Sequence, residues 1–109
     1  MKKQLLFLVM MLLPMMAMAD DSGSCGDNVT YTYVEATHTL TISGTGAMKD
    51  YDYNNMPWYN YRTDILKAII EEGVRSIGDA AFWYCSRLTS VTIPNSVTTI
   101  GNYAFCKCI

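Results

Sequence analysis

The feature of this chain that most constrains its fold is a decapeptide that is written twice. Residues 76–85 read SIGDAAFWYC and residues 99–108 read TIGNYAFCKC, with Ile, Gly, Ala, Phe and Cys in register at a spacing of 23 positions. A catalytic residue is needed once, whereas a scaffold unit recurs because each copy buries one face against the next. The recurrence therefore predicts a solenoid of stacked coils.

The remainder of the unit is consistent with one coil of such a solenoid. Residues 65–86 align with residues 88–109, and the alternation of apolar and polar side chains in residues 89–93 predicts a short strand with its apolar side inward. The Ala-Phe pair of each decapeptide is expected on the inner side of the turn that follows. The positions expected to form the repeated core and bend are Ile77, Gly78, Ala81, Phe82, Cys85, Leu88, Val91, Ile93, Ile100, Gly101, Ala104, Phe105 and Cys108.

The glycine of each decapeptide marks a change of backbone direction. Gly78 and Gly101 lie where a strand gives way to a short helical turn, and we expect positive φ there because glycine adopts it without steric cost. Asp79 and Asn102 follow directly, and both residue types are preferred helix N-caps. We therefore expect one bend and one cap in each coil.

The first 19 residues have the form of a secretory signal peptide. Lys2 and Lys3 precede an apolar run that is too short to span a membrane, and Ala17-Met18-Ala19 supplies the small residues that a signal peptidase reads. We expect cleavage after Ala19, export, and no membrane span in the mature chain. Cleavage also leaves six Lys and Arg residues against ten Asp and Glu, a net charge near −4, which argues against nucleic acid as a partner.

Signatures of catalysis, cofactors and metals are missing from the sequence. It contains no nucleophile elbow, phosphate loop or zinc spacing, and the single histidine, His38, is expected in a turn. Asp50-x-Asp52-x-Asn54 begins like a calcium loop but lacks its later glycine and glutamate, so we interpret it as a solvated turn. Cys85 and Cys108 are expected at equivalent core positions as free thiols, although a disulfide between stacked coils is geometrically conceivable.

Two further zones precede the repeat. Residues 20–28 are small and polar and are interpreted as a loose leader, and residues 29–43 alternate in period two around a polar break, which predicts a β-hairpin. Residues 51–61 contain five aromatic residues, which we expect to form a lid over the apolar end of the first coil. In the alternative interpretation they contact a ligand, together with two outer repeat positions. These candidate ligand contacts are Tyr51, Tyr53, Trp58, Tyr59, Tyr61, Trp83 and Tyr84.

The repeat also carries a family resemblance. The pattern A-F-x-x-C-x-x-L-x-x-V-x-I-P stands at residues 81–94, and with Val97, Ile100 and Gly101 after it and LTISGTGAM at residues 40–48, it closely resembles the BspA-like branch of bacterial leucine-rich repeat surface proteins. The period of 23 lies within the range of leucine-rich repeats. The resemblance implies a mainly β fold with short helical turns, in which a β-hairpin and an aromatic N-terminal cap precede a leucine-rich repeat solenoid.

These observations define the expected organisation and function. We expect a signal peptide at residues 1–19, a leader at 20–28, a hairpin and cap at 29–64, and about two repeats at 65–109, of which the last is incomplete, so that the chain is part of a longer protein or pairs to be stable. The resemblance implies a bacterial secreted or cell-surface protein that is not an enzyme and binds a protein partner, such as a host extracellular-matrix or cell-surface protein. The alternative is a carbohydrate-binding module that uses the aromatic segment.

Overall fold

A computed structural model of the chain describes residues 20–108, and the predicted signal peptide lies outside them. The described part is built from short strands and one 3₁₀ helix. The elements in chain order are β1 (Asp21–Gly26), β2 (Val29–Val34), β3 (Thr39–Gly44), the 3₁₀ helix (Tyr59–Asp64), β4 (Lys67–Ile70), β5 (Ser76–Ile77), β6 (Ser90–Thr92) and β7 (Thr99–Ile100). The mainly β fold that the sequence predicts is therefore confirmed.

The N-terminal strands form an antiparallel meander, β1-β2-β3. The predicted hairpin corresponds to β2 and β3, whose register pairs Tyr31 with Ile42. The interpretation of residues 20–28 as a loose leader is wrong, because β1 pairs along β2 and Cys25 is completely buried. Small residues such as Gly23 leave room on this strand for the ring of Tyr31, whose Cε1 lies 3.2 Å from where a Cβ would stand.

The remaining strands stack in parallel and convert the sequence period into a hydrogen-bonded ladder. β4 pairs with β6 so that Lys67 faces Ser90, and β5 pairs with β7 so that Ser76 faces Thr99, each at a separation of 23 positions. β3 pairs in parallel with β4, with Thr39 facing Lys67. The second strand of the hairpin is thus also the first strand of the solenoid.

The segment from β3 to the 3₁₀ helix forms an atypical first coil, which we call the cap coil (residues 39–64). Its strand is offset from β4 by 28 positions, and Ala47 forms a bridge with Ser76 at an offset of 29. The cap coil is therefore longer than the regular coils that follow it.

The bends of the regular coils are turns in which two non-glycine residues adopt left-handed backbone. Ala80 and Tyr103 have φ of 54° and 60°, and Tyr84 and Lys107 have φ of 61° and 65°. The expectation of positive φ at the two repeat glycines is wrong, since the left-handed positions follow them. N–H groups at 80, 82 and 84 donate to the carbonyls of 102, 104 and 106 at 2.8–2.9 Å, which continues the ladder through the bend without a helix.

Gly78 and Gly101 are required by space rather than by dihedral angle. A Cβ on Gly78 would lie 1.7 Å from the carbonyl oxygen of Lys49, and one on Gly101 would lie 2.5 Å from the backbone nitrogen of Asp79. Both contacts are with the backbone of the preceding coil, which cannot move aside. Glycine therefore permits the close stacking of one bend on the next.

The core is a column of inward side chains that thins toward the last strand. In the cap coil and first regular coil these residues are almost completely buried, whereas Val91, Val97 and Phe105 are only partly buried, and Ile93 and Ile100 are 42% and 52% exposed. Among residues 20–108, no helix is long and apolar enough to cross a lipid bilayer. The buried residues that form this core cluster are Cys25, Val29, Tyr31, Tyr33, Leu40, Ile42, Met48, Met56, Trp58, Ile65, Ala68, Ile70, Val74, Ile77, Ala81, Phe82, Cys85 and Ala104.

Candidate functional site

Most of the aromatic segment closes the end of the solenoid. The Trp58 ring is completely buried, packs edge-on against Tyr31 at 5.3 Å, and donates a 2.7 Å hydrogen bond from Nε1 to the carbonyl of Ala81. Tyr51 packs against the same ring at 5.9 Å. Trp58 therefore belongs to the core, and its earlier assignment as a candidate ligand contact is wrong.

Tyr61 is likewise engaged inside the molecule. Its ring stacks on Tyr33 with centroids 4.3 Å apart, and its hydroxyl donates to the carboxylate of Asp21. Tyr31 donates to the same carboxylate oxygen at 3.1 Å. Burial is the main reason that the pKa of Tyr61 lies above its usual range, and the hydrogen bond to Asp21 raises the pKa further. These contacts anchor β1 to the 3₁₀ helix and leave the ring little freedom to meet a ligand.

Exposed and partly buried aromatic residues lie together on an outer surface that crosses the coils. Tyr53 and Trp83 meet with centroids 5.3 Å apart, and Trp83 and Tyr84 meet at 5.2 Å. The guanidinium of Arg62 extends this surface, since it lies 3.9 Å from the ring centroid of Tyr59 and 5.7 Å from that of Tyr84. Tyr53 is 61% exposed and Tyr84 is 42% exposed. We call this row of side chains the aromatic surface.

A groove opens at one end of the aromatic surface, between the cap coil and the two regular coils. Its volume is about 250 Å³. Residues 51–53 of the cap coil form one wall, and the first turn residues of the two regular coils form the other. We call it the aromatic–acidic groove, and its lining residues are Tyr51, Asp52, Tyr53, Asp79, Ala80, Trp83, Asn102 and Tyr103.

A ladder of side-chain to backbone hydrogen bonds holds the groove in shape. The Asp50 carboxylate accepts from the backbone N–H of Asp79 at 2.9 Å, and the Asp79 carboxylate accepts from the N–H of Asn102 at 2.8 Å. Asp79 and Asn102 were expected to cap helical turns. Instead, the carboxylate of Asp50 or Asp79 in one coil accepts a hydrogen bond from the backbone N–H of Asp79 or Asn102 in the next. Next to Asn102, Tyr103 has left-handed backbone with φ of 60° and is 73% exposed.

The chemistry of the groove combines aromatic faces with uncompensated negative charge. Two aspartates line it and no Lys or Arg does so. Within residues 20–108 no Lys or Arg nitrogen lies within 4.0 Å of an Asp or Glu carboxylate oxygen, and the one histidine–carboxylate contact at that distance joins His38 and Glu35, so neither Asp52 nor Asp79 has a cationic partner. Such a site can stack on a flat group and accept hydrogen bonds from donors.

Sequence reasoning identified only part of this site. Tyr53 and Trp83 were candidates and lie together in the groove, and Tyr84 lies beside them on the aromatic surface. Tyr103 and the two lining aspartates were missed. A signal for Tyr103 existed, because the two decapeptides differ there: Tyr103 stands where the first decapeptide has Ala80.

The remaining reactive groups are engaged in packing. All four cysteines are free; burial raises the pKa of the Cys25 and Cys85 thiols to about 12, and the Cys108 thiol donates to the carbonyl of Phe82 at 2.9 Å. His38 lies in the turn between β2 and β3, where Nδ1 is 3.3 Å from the hydroxyl of Tyr33. Thiols with so high a pKa are poor nucleophiles at neutral pH.

A second depression lies on the loops between strands and has a different character. It carries no aromatic residue, and Ser96, one of its lining residues, already accepts from the N–H of Gly73 at 3.0 Å and donates to the carbonyl of Val74 at 2.7 Å. Both hydrogen bonds join one coil to the next, so the Ser96 hydroxyl is used in stacking the coils. The lining residues are Thr45, Glu72, Gly73, Arg75, Ser96 and Thr98.

Comparisons with known proteins agree with this architecture. A family model described as "BspA type Leucine rich repeat region (6 copies)" matches residues 52–109. The crystal structure of a leucine-rich repeat protein from Eubacterium ventriosum is similar, with a TM-score of 0.75 and 38% sequence identity. The alignment covers 80% of this chain and 23% of that one, so the chain spans about a quarter of the length of that protein. No curated protein matches the chain significantly.

Proposed function

Because this chain belongs to the BspA-type leucine-rich repeat family, we propose that it is a non-catalytic adhesion module that binds a protein partner outside the bacterial cell. The observation that carries the proposal is the aromatic–acidic groove with its adjoining aromatic surface. Leucine-rich repeat modules generally present a rigid surface of stacked coils to a protein partner. The partner class we favour is a host extracellular-matrix or cell-surface protein.

The composition of the outer surface supports protein binding. Aromatic side chains are enriched in the centres of protein interfaces and supply most of the binding free energy there. Four of them, Tyr53, Trp83, Tyr84 and Tyr103, lie on this surface. The backbone beside them is hydrogen-bonded between coils, since the N–H groups of residues 51, 80 and 84 donate to the carbonyls of residues 79, 102 and 106 at 2.8–2.9 Å. A site on rigid elements loses little conformational entropy when a partner binds.

Export supports the adhesion version of the proposal. The signal peptide expected at residues 1–19 would deliver the chain to the cell exterior. β1 begins at Asp21, and the backbone N–H of Asp20 donates to the carbonyl of Tyr33 at 2.7 Å, so cleavage after Ala19 would leave every described strand intact. The fold and the expected processing site are therefore compatible.

The experiment is a binding panel with two arms. The full chain is immobilised and exposed to extracellular-matrix proteins in one arm and to a glycan array in the other. We expect a protein to bind, and we expect Trp83→Ala and Tyr103→Ala to weaken it by at least tenfold, as for residues central to an interface. Glu72→Gln, in the second depression, is the control and leaves binding unchanged.

The same panel separates the alternative function, carbohydrate binding. A sugar that binds in preference to every protein, with binding lost in Trp83→Ala, would support a carbohydrate-binding module instead. Trp58→Ala does not distinguish the two functions, because Trp58 is buried in the core and its removal disturbs the fold. Exposed Tyr53 replaces it as the test position within the aromatic segment.

A further inference from the structure

We propose that the aromatic–acidic groove receives an arginine side chain from the protein partner. This inference rests on the proposed function and names the chemical group that the site recognises. Three properties of the groove support it: its uncompensated charge, its size and its aromatic walls.

The charge of the groove is complementary to a cation. The carboxylates of Asp52 and Asp79 line it, Asp50 lies in the same hydrogen-bonded ladder, and no basic residue is among the lining residues. Asp79 keeps one carboxylate oxygen on the N–H of Asn102, while its other oxygen has no partner among residues 20–108. A guanidinium presents five N–H donors in a planar fork that suits such carboxylates.

The size of the groove is suited to one side chain. Sites for drug-sized ligands have volumes of about 300–1,000 Å³, whereas this groove has about 250 Å³. A single long residue fills such a space, and arginine is among the residue types that most often anchor an interface. A peptide segment that lies across the coils would place one such residue in the groove.

The aromatic walls favour arginine over lysine. Tyr53, Trp83 and Tyr103 border the groove, and a planar guanidinium stacks on aromatic faces more readily than a strongly hydrated ammonium does. The same molecule already shows this arrangement next to the groove, where the guanidinium of Arg62 lies 3.9 Å from the ring centroid of Tyr59. The proposed ligand would repeat that packing from outside.

The test is an NMR titration of the ¹⁵N-labelled full chain with acetyl-Gly-Arg-Gly-amide. The matched probe is the same peptide with citrulline, which has the shape of arginine without its charge, and a lysine peptide and simple monosaccharides complete the set. We expect saturable shifts confined to the amides of residues 51–53, 79–83 and 102–103. Citrulline should bind several-fold more weakly than arginine, and added NaCl should weaken the arginine peptide further.

Two aspartate variants test which carboxylates attract the arginine peptide. Asp52→Asn should weaken the arginine peptide by a factor of about two to five, as for an exposed ion pair, and leave citrulline binding unchanged. Asp79→Asn should act in the same way, because the amide oxygen retains the bond to Asn102 and keeps the fold. Glu72→Gln removes the same charge outside the groove and should have no effect.

The outcomes are distinct. Equal binding of arginine and citrulline, absence of saturable shifts, or saturation by a monosaccharide but not by arginine would overturn the proposal. Arginine binding in a chain that captures no protein from the panel would support the arginine specificity of the groove and overturn the proposed function. A protein captured with no loss in Asp52→Asn and Asp79→Asn would support the function and overturn the inference.

Discussion

Trp58 and Phe82 stack with ring centroids 5.8 Å apart and planes inclined by 24°, although one comes from the cap coil and the other from the first regular coil. Phe105 continues the stack at 5.3 Å and 4°. The tryptophan therefore takes in the cap coil the place that phenylalanine takes in each repeat. Among residues 20–108, Trp58 is thus the first ring of the repeat's own stacked column, and it also packs against Tyr31 of β2 at 5.3 Å.

Replacing Trp58 by alanine should destabilise the fold severely. The substitution removes a completely buried ring and leaves the carbonyl of Ala81 without its donor, so we expect a loss of about 3–5 kcal/mol in the free energy of unfolding. Urea denaturation followed by circular dichroism measures it. Trp83→Ala, at the groove, is the matched control and should cost less than half as much; equal losses would contradict the assignment of Trp58 to the core.

Gly78→Ala should destabilise the stacking of the bends. The added methyl group would lie 1.7 Å from the backbone oxygen of Lys49, so the coils must separate, and we expect a loss of at least about 2 kcal/mol. Thermal unfolding compares it with Gly23→Ala on β1, where the new methyl group would lie 3.2 Å from a side-chain atom of Tyr31 and would meet no backbone atom as closely. A Gly78 variant as stable as the Gly23 variant would refute the close-approach explanation.

Tyr103→Gly should separate stability from binding. The residue has φ of 60° and is 73% exposed, so glycine relieves left-handed backbone at little cost in packing, and we expect unchanged stability or a gain of up to about 1 kcal/mol. The variant should nevertheless lose partner binding. Tyr53→Gly, whose backbone is not left-handed, is the comparison and should gain no stability. Calorimetry and the binding panel together check both expectations, and a destabilised Tyr103→Gly would count against them.

Stability should fall at alkaline pH. Burial raises the pKa of Tyr31 and Tyr33 from an ordinary value near 10 to about 12 in the folded chain. Folding favours the protonated hydroxyls of these two tyrosines. Their contribution to the free energy of unfolding is therefore fully present below pH 10 and is lost as the pH rises through about 12. The last part of the rise in tyrosinate absorbance should coincide with the change in circular dichroism between pH 10 and about 12. Ionisation of all tyrosines near pH 10 with the fold intact would contradict the burial of these two hydroxyls.

The buried thiols should be inert in the folded chain. Cys25 and Cys85 are completely buried and their pKa is raised to about 12, so few thiolates form at neutral pH. We expect iodoacetamide to modify neither residue until denaturant is added, as read by peptide mass mapping. The intact mass should also show no Cys85–Cys108 crosslink. Modification of Cys85 under native conditions would show that the coils are less closely packed than described. An intact mass lower by two hydrogens would show that a disulfide bridges them.

The sequence by itself determined the repeat and its register. Stacked copies of one unit are related by a constant step, so a spacing of 23 in the chain reappears as the pairs Lys67–Ser90 and Ser76–Thr99 in the ladder. The Ala-Phe pair could be placed inward for the same reason, because a residue repeated at equal spacing occupies the same position in each coil. The family resemblance followed from these residues and is confirmed by the matching family model.

Only the tertiary structure decided the rest. The left-handed positions 80 and 103 follow from how one bend lies on the next, and the pairing of β1 depends on a strand partner that a polar composition does not reveal. The groove joins residues 51–53 to Trp83 and Tyr103, which are far apart in the chain. An exposed aromatic residue and a buried one have the same local sequence signal, and burial is settled only when neighbouring coils come into contact, which is why Trp58 lies in the core and Tyr53 lies in the groove.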